Sequence, residues 1–398
     1  MRRPFTTTAA LFAAFVASAS VAEAASRSIT GATLELVKQR LAETATDSWV
    51  AGTQMEALLE LNYPTLSVFS SADYPPPSSP VPTEVVSLVA AWEAKRPNDT
   101  EELNYNEGGA AGDPPSLGVG WLVAAACKAA EGDETTQAIY LKQLQQQVDY
   151  LLNSVPRTSD GAISHRPPSE PVQLWSDFVY MVPPFLAYYG IATSNVSLIR
   201  EAYTQCRLYR RNMRDPSGAW KHVLLGYWED AGLWNTGNAW AAAGMTRVYA
   251  TIRNSKYSEA FEDEVADLAS WTNEILIASF SYLKPDGLLP NYYDAASNSS
   301  FSDAAGSALL AATAYRLAQL DPSAVSASTL RKAAIVRVAV NAGVNTTTGW
   351  LQPVVDPLSW TEQTATSPES EAFVLLLQAA WRDYRASSVS LGAHVSLH

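Results

Sequence analysis

Residues 161–190 read GAISHRPPSEPVQLWSDFVYMVPPFLAYYG. A turn-rich loop around His165, Arg166, Pro167 and Pro168 gives way to an apolar, aromatic helical stretch. One carboxylate, Asp177, stands in that stretch among Trp175, Phe178, Tyr180 and Met181. An ionised Asp is costly to bury without partners. Two readings follow. Asp177 is a helix-start residue favoured by capping and the helix dipole, or it is a catalytic acid whose proton affinity is tuned by its aromatic neighbours.

Outward from this stretch the chain is helical throughout. Apolar periodicity predicts helices over 31–43, 50–61, 82–95, 116–130, 134–154, 174–190, 196–213, 236–254, 257–281, 303–320, 325–341 and 369–386. No period-2 run of Val, Ile and Thr suggests a sheet. The helices are of two kinds that tend to alternate. The stretches 117–130, 177–190, 239–250 and 304–315 are apolar on nearly every side and rich in Ala and Gly, whereas 138–152, 198–214 and 259–273 are amphipathic. Helices apolar all round are buried, and amphipathic ones face water on one side. Alternating inner and outer helices predict an all-α fold, an (α/α)6 toroid of helical hairpins, as a single domain over 25–398. An open solenoid would show a 34- or 40-residue period, and none is evident. In such a ring the loops that enter the inner helices gather on one face, where a cleft is expected.

The balance of 27 basic against 40 acidic residues, a formal charge of −13, argues against nucleic acid and against an anionic membrane surface as partners. Twelve Trp and eighteen Tyr give ample means to stack on sugar rings, although most aromatic residues serve the core. At the N-terminus, Arg2 and Arg3 precede an apolar run from Ala9 to Val16, and Ala22-Glu23-Ala24 fits a small-x-small cleavage site. Residues 1–24 are read as a secretory signal and the mature protein as extracellular and monomeric. Sequons at Asn98, Asn195, Asn298 and Asn345 agree with secretion. Cys127 and Cys206 leave a disulfide open, and two Cys with four His form no ligand-spaced metal set, so no metal is expected.

Four loop-helix junctions carry the chemistry: GDPPSLGVGWL at 112–122, SHRPPSEPVQLWSDFVYM at 164–181, GAWKHVLLGYWEDAGLWNTGNAWAAAG at 218–244, and SPESEAFVLLLQAAWRDY at 367–384. With these in order, nearly the whole mature chain resembles the unsaturated rhamnogalacturonyl hydrolases of glycoside hydrolase family 105, six-hairpin glycosidases, and among them the secreted fungal branch. QLWSDFVYM followed by PFLAYYG carries the resemblance most strongly. The run through His222, Trp228, Trp234, Gly237, Asn238 and Trp240 comes next.

The resemblance implies an enzyme that removes the unsaturated uronic acid from the non-reducing end of pectin-derived, rhamnogalacturonan-type oligosaccharides. It does so by hydrating the C4–C5 double bond, with Asp177 as the acid and no metal or cofactor. The matched phrases add Asp113 as a second catalytic candidate and Met181 and Asn238 as substrate-binding candidates. Residue chemistry nominates His165, Arg166 and His222 to hold the substrate carboxylate or hydroxyls, and Trp175, Trp228 and Trp234 to stack on it. Trp240, inside an Ala-rich helix, is expected to pack the core. Asp113 also reads as a turn residue beside Gly112 and Pro114, and Glu229-Asp230 as a solvated corner. One departure stands out. Many members have Trp-x-Arg-Gly-Asn where this chain has Trp234-Asn235-Thr236-Gly237-Asn238. Thr236 replaces a two-pronged cation with one neutral hydroxyl, so Arg166, Lys221 or Arg247 is expected to substitute, or the neighbouring sugar to differ. Two rival readings remain: an inverting glycosidase that pairs Asp113 with Asp177 on a saturated glycan, and a non-catalytic glycan-binding relative.

Overall fold

A computed structural model describes residues 28–97, 100–104, 109–295 and 300–395. The leader at 1–24 and the sequons at Asn98 and Asn298 lie outside the described residues. Helices alternate between an outer and an inner layer. The outer set is α1 (Gly31–Thr44), α3 (Thr83–Glu93), α5 (Glu134–Asp149), α8 (Val196–Met213), α10 (Glu262–Phe280) and α12 (Ala327–Gly343). The inner set is α2 (Ser48–Asn62), α4 (Gly118–Glu131), α6 and α7 (Phe178–Met181 and Pro183–Ala192), α9 (Asn235–Arg253), α11 (Ala304–Leu320) and α13 (Pro368–Val395). Side chains begin several of these helices. Thr30, Asp133, Asn195, Asp303 and Ser326 each accept a first-turn amide, which satisfies donors that the helix itself leaves unpaired.

Each inner helix packs on the next, and α13 packs on α2 to close the ring. Ala and Gly on the inner helices permit that approach. A Cβ on Gly244 of α9 would lie 2.1 Å from the Val179 carbonyl oxygen of α6, which backbone cannot yield to. The fold is therefore the (α/α)6 toroid that the alternation of apolar and amphipathic helices predicts. Cys127 and Cys206 are both buried and unpaired. Among the described residues no helix is long and apolar enough to cross a membrane.

The structure corrects the expectation of one helix over 174–190. Gln173–Trp175 is a strand, β1, paired antiparallel with β2 (Val223–Leu225), Trp175 facing Val223. A turn at Ser176-Asp177 then leads into the single-turn α6, and the chain restarts at Pro183 as α7. The cause is Pro183-Pro184. Neither residue can donate to a helical ladder, so the run of hydrogen bonds is interrupted there although Val182 keeps right-handed helical geometry. Two further short pairs join β3 (Leu289–Pro290) to β4 (Ser302–Asp303) and β5 (Val354–Asp356) to β6 (Ser359–Thr364). They lie in the loops that enter α11 and α13. They are too short to show as a period-2 run.

Candidate active site

Every inner helix sends a residue from its entry end to one face of the ring: Trp49 from α2, Asp113 before α4, Asp177 before α6, Trp234 before α9, Asp303 before α11 and Glu369 in α13. All but Asp303 line a cavity of about 210 Å³, together with His165, Arg166, Trp175, Met181, Trp240, Leu358 and Trp360. A wider cleft of about 840 Å³ shares the wall formed by Trp49, Gly109, Ala110 and Asp113.

Asp177 occupies the N-cap position of α6, yet its side chain makes no capping hydrogen bond. Its Oδ2 instead accepts from the Ser176 hydroxyl at 3.1 Å and lies 3.8 Å from His222 Nε2. The strand register explains this meeting. With Trp175 opposite Val223, the Ser176 amide donates to the His222 carbonyl at 3.0 Å. Gly237 fits the same corner, because a Cβ there would stand 2.4 Å from Ser176 Oγ. Burial raises the Asp177 carboxyl above its usual range, with His222 and the Ser176 hydroxyl opposing. The capping reading of Asp177 therefore gives way to that of an acid held in a cavity.

Asp113 sits ahead of a short 3₁₀ turn, again without a capping bond. Its Oδ1 is 3.6 Å from His165 Nε2. Burial pushes Asp113 up to about 8, the Asp177 charge adds to this, and Arg166 opposes it. Burial drives the His165 imidazole well below its ordinary value, aided by the Arg166 charge. The contact is thus between a neutral acid and a neutral ring, not an ion pair. His165 stacks on Trp175 at 5.0 Å, and the Arg166 guanidinium lies 5.0 Å over the same indole.

His222 is buried, and its Nδ1 meets Asp230 Oδ2 at 2.9 Å. Asp230 also accepts from the Tyr292 hydroxyl at 2.6 Å. Burial would raise its carboxyl, but these two partners and the Gly232 amide hold it below the usual range. Asp230 is therefore not the solvated corner that its sequence neighbourhood suggests. The hydrogen bond between Asp230 and Nδ1 fixes the ring so that its other nitrogen, Nε2, faces Asp177. Asp230→Asn should lower kcat about 10- to 100-fold with little change in KM, by releasing the ring orientation. Steady-state kinetics would show it, and an unchanged kcat would remove Asp230 from this role.

The remaining nominated residues separate. Trp175, Trp234 and Met181 line the cavity. Trp228 does not. It lies on the rim, 38% exposed and stacked on Trp360 at 5.5 Å. Asn238 is also outside the cavity lining, a correction to its nomination as a sugar contact. It accepts from the Trp220 amide and donates to the Trp220 and Trp234 carbonyls, which clamps the preceding loop. Trp240 packs against Tyr180 and Phe373, as expected of core, and reaches the cavity floor. Trp49, Trp360 and Glu369 escaped notice in the sequence. Only Glu369 lay in a stretch singled out there.

Thr236 is buried and donates to Asp303 Oδ2 at 2.8 Å, away from the cavity lining. Of the three cations named to replace the motif Arg, Arg247 is excluded. It is locked between Glu56 and Glu60 in the interior. Lys221 does not line the cavity. Arg166 does, and among the described residues neither of its Nη groups makes a hydrogen bond.

A ring of six inner helices with a carboxyl-lined cavity at their entry ends defines a six-hairpin glycosidase. Residues 120–320 match the model of Glycosyl Hydrolase Family 88. The chain belongs to that family and is a glycoside hydrolase of the unsaturated uronyl hydrolase type. Three solved structures share its fold. A possible member of family 105 from Salmonella enterica serovar Paratyphi A has a TM-score of 0.68 at 17% identity, over 89% of this chain and 93% of that one. A family 105 glycoside hydrolase from C. acetobutylicum has a TM-score of 0.66 at 15% identity, over 88% and 99%. An unsaturated glucuronyl hydrolase from Bacillus sp. GL1, responsible for the degradation of glycosaminoglycan, has a TM-score of 0.60 at 17% identity, over 88% and 95%. At such identities the likeness is one of fold. No curated protein matches in sequence.

Proposed function

We propose that this hydrolase is secreted and removes the terminal unsaturated uronic acid from rhamnogalacturonan-type oligosaccharides by hydrating the C4–C5 double bond. The observation that carries the chemistry is Asp177, a carboxyl raised by burial and facing a cavity beside His222. Protonating an enol ether needs an acid that still holds its proton at the working pH. Asp177 delivers a proton to C4, and water adds at C5, returning a proton to the Asp177 carboxylate. The resulting hemiketal opens to a C5 ketone, and the hemiacetal left at C1 expels the next sugar as an alcohol. One water is consumed and no redox change occurs. Arg166 supplies the positive charge for the uronate carboxylate.

The cavity volume, below the roughly 300–1,000 Å³ of sites for drug-sized ligands, suits one ring. The adjoining cleft would take the rest of the chain. Its lining includes Glu101 and Glu102 and, among the described residues, no Lys, Arg or His. That wall disfavours a sulfated or uronic neighbour and suits a neutral sugar such as rhamnose. Kinetics on unsaturated disaccharides with neutral and with sulfated second sugars would test this. The neutral series should have the higher kcat/KM, and preference for the sulfated series would refute the assignment. Secretion rests on Arg2, Arg3 and the apolar run before Ala24. Protein recovered from the medium should begin at Ala25.

The pH profile follows from the same carboxyls. Asp113 and Asp177 interact, so they titrate as a pair. Catalysis uses the protonated acid, so kcat/KM should be highest on the acid side. It should fall as pH rises through the pKa values of the pair, both raised by burial above the range of a free carboxyl. A rate that climbs with pH would indicate a base in place of the acid.

A further inference from the structure

Glu369 lies in the first turn of α13, where an acidic residue is ordinarily a response to the helix dipole. Its surroundings are not those of such a residue. It is only 4% exposed and lines the cavity. Its neighbour Glu371, equally buried, has a structural task, accepting the Leu351 amide at 2.8 Å. Glu369 has no comparable anchor. Among the described residues its one hydrogen bond comes from the Trp49 indole N–H, at 2.7 Å to Oε1, and Oε2 has none. Its Oε2 is therefore left unbonded on a residue that lines the cavity, where the helix that closes the ring meets the first inner helix.

We propose that Glu369 is a substrate-binding residue, gripping an oxygen of the terminal sugar through Oε2 while Trp49 fixes its orientation. This rests on the reading of the cavity as the site for an unsaturated uronide. Three kinds of group face the carboxyl. Asp113 and Asp177 line the same cavity, Asp303 acts on it from outside that lining, and His165 and Arg166 share the lining. Burial pushes Glu369 up to about 8; the Trp49 bond opposes this, and the three Asp charges add to it. Below that pH Glu369 is a neutral acid and a hydrogen-bond donor, so it can meet an anionic sugar without repelling it. Above it, the ionised form would confront the uronate.

The test is steady-state kinetics of E369A, E369Q and W49F on an unsaturated uronyl disaccharide across pH. E369A should raise KM about tenfold while kcat changes less than threefold, since a contact made equally in ground and transition states acts on KM. E369Q, which still donates but cannot ionise, should raise KM less than E369A and lose the rise in KM that the wild type shows above about pH 7. W49F, which keeps a ring but removes the indole N–H, should raise KM in the same direction, and it remains informative if E369A fails to fold. An unchanged KM in E369A, or equal KM values and pH profiles in E369A and E369Q, would overturn the proposal, as would an unchanged KM in W49F. A wild type that releases no uronic acid would instead sink the functional reading itself.

Discussion

Asp177→Asn should abolish release of the unsaturated sugar, lowering kcat/KM by about a thousandfold or more, while the helical content stays that of the wild type. General acid catalysis contributes roughly 10²–10⁴-fold, and here one residue serves as proton donor to carbon. The amide is isosteric with the carboxyl and can still accept from the Ser176 hydroxyl, so the fold has no reason to respond. The structure also makes compensation difficult. Asp113 and Glu369 are the other acids in the cavity lining, but Asp113 faces His165 and Glu369 is held by the Trp49 indole N–H. His222 has its Nδ1 committed to Asp230. Circular dichroism and kcat/KM on one preparation would check both halves. A loss of less than tenfold would mean that another group donates the proton.

The largest stability effect is expected far from the cavity. Arg247→Met should destabilise the protein by about 3–5 kcal/mol, the usual consequence of removing one partner of a buried ion cluster. Arg247 lies between Glu56 at 3.2 Å and Glu60. Glu60 also holds Arg316 at 2.7 Å, and Arg316 reaches Asp383 at 2.7 Å. This chain of charges ties α2 to α9, α11 and α13 across the ring, with the Arg247 guanidinium 5.1 Å over Tyr180. Burial already pushes Glu56 up to about 7, against the pull of Arg247. Without the Arg, two carboxyls would remain buried with one guanidinium between them. Met fills most of the vacated volume, which separates lost charge from lost packing. Denaturant unfolding would measure the change, and a cost below about 1 kcal/mol would show that the cluster is neutral to stability.

Much of the fold was legible because buried and half-buried helices differ in composition. The Ala- and Gly-rich stretches at 239–250 and 304–315 became inner helices, and the charged ones around 198–214 and 259–273 became outer helices, as burial on one side or all sides requires. The break at Pro183 was written in the sequence too, but the apolar run around it concealed the strand at 173–175. The site was legible only in part. Asp177, Trp175 and His165 stood out by chemistry in one short stretch. Asp230 did not, because its partners Tyr292 and His222 come from separate loops, and a carboxylate beside Glu229 looks solvated until those loops meet. Glu369 and Trp49 are 320 positions apart and become neighbours only when the ring closes. Asn238 misled for the opposite reason, since a motif residue that clamps its own loop looks like one that touches a ligand.

The most direct measurement follows an unsaturated rhamnogalacturonan disaccharide in heavy water, by the ultraviolet absorbance of its double bond and by proton NMR. Hydration predicts that absorbance disappears in step with release of the second sugar and that one deuterium arrives at C4. Release of the second sugar while the double bond persists, or cleavage of the saturated disaccharide, would contradict it. Asp113 and Asp177 would then be the acid and base of a conventional glycosidase.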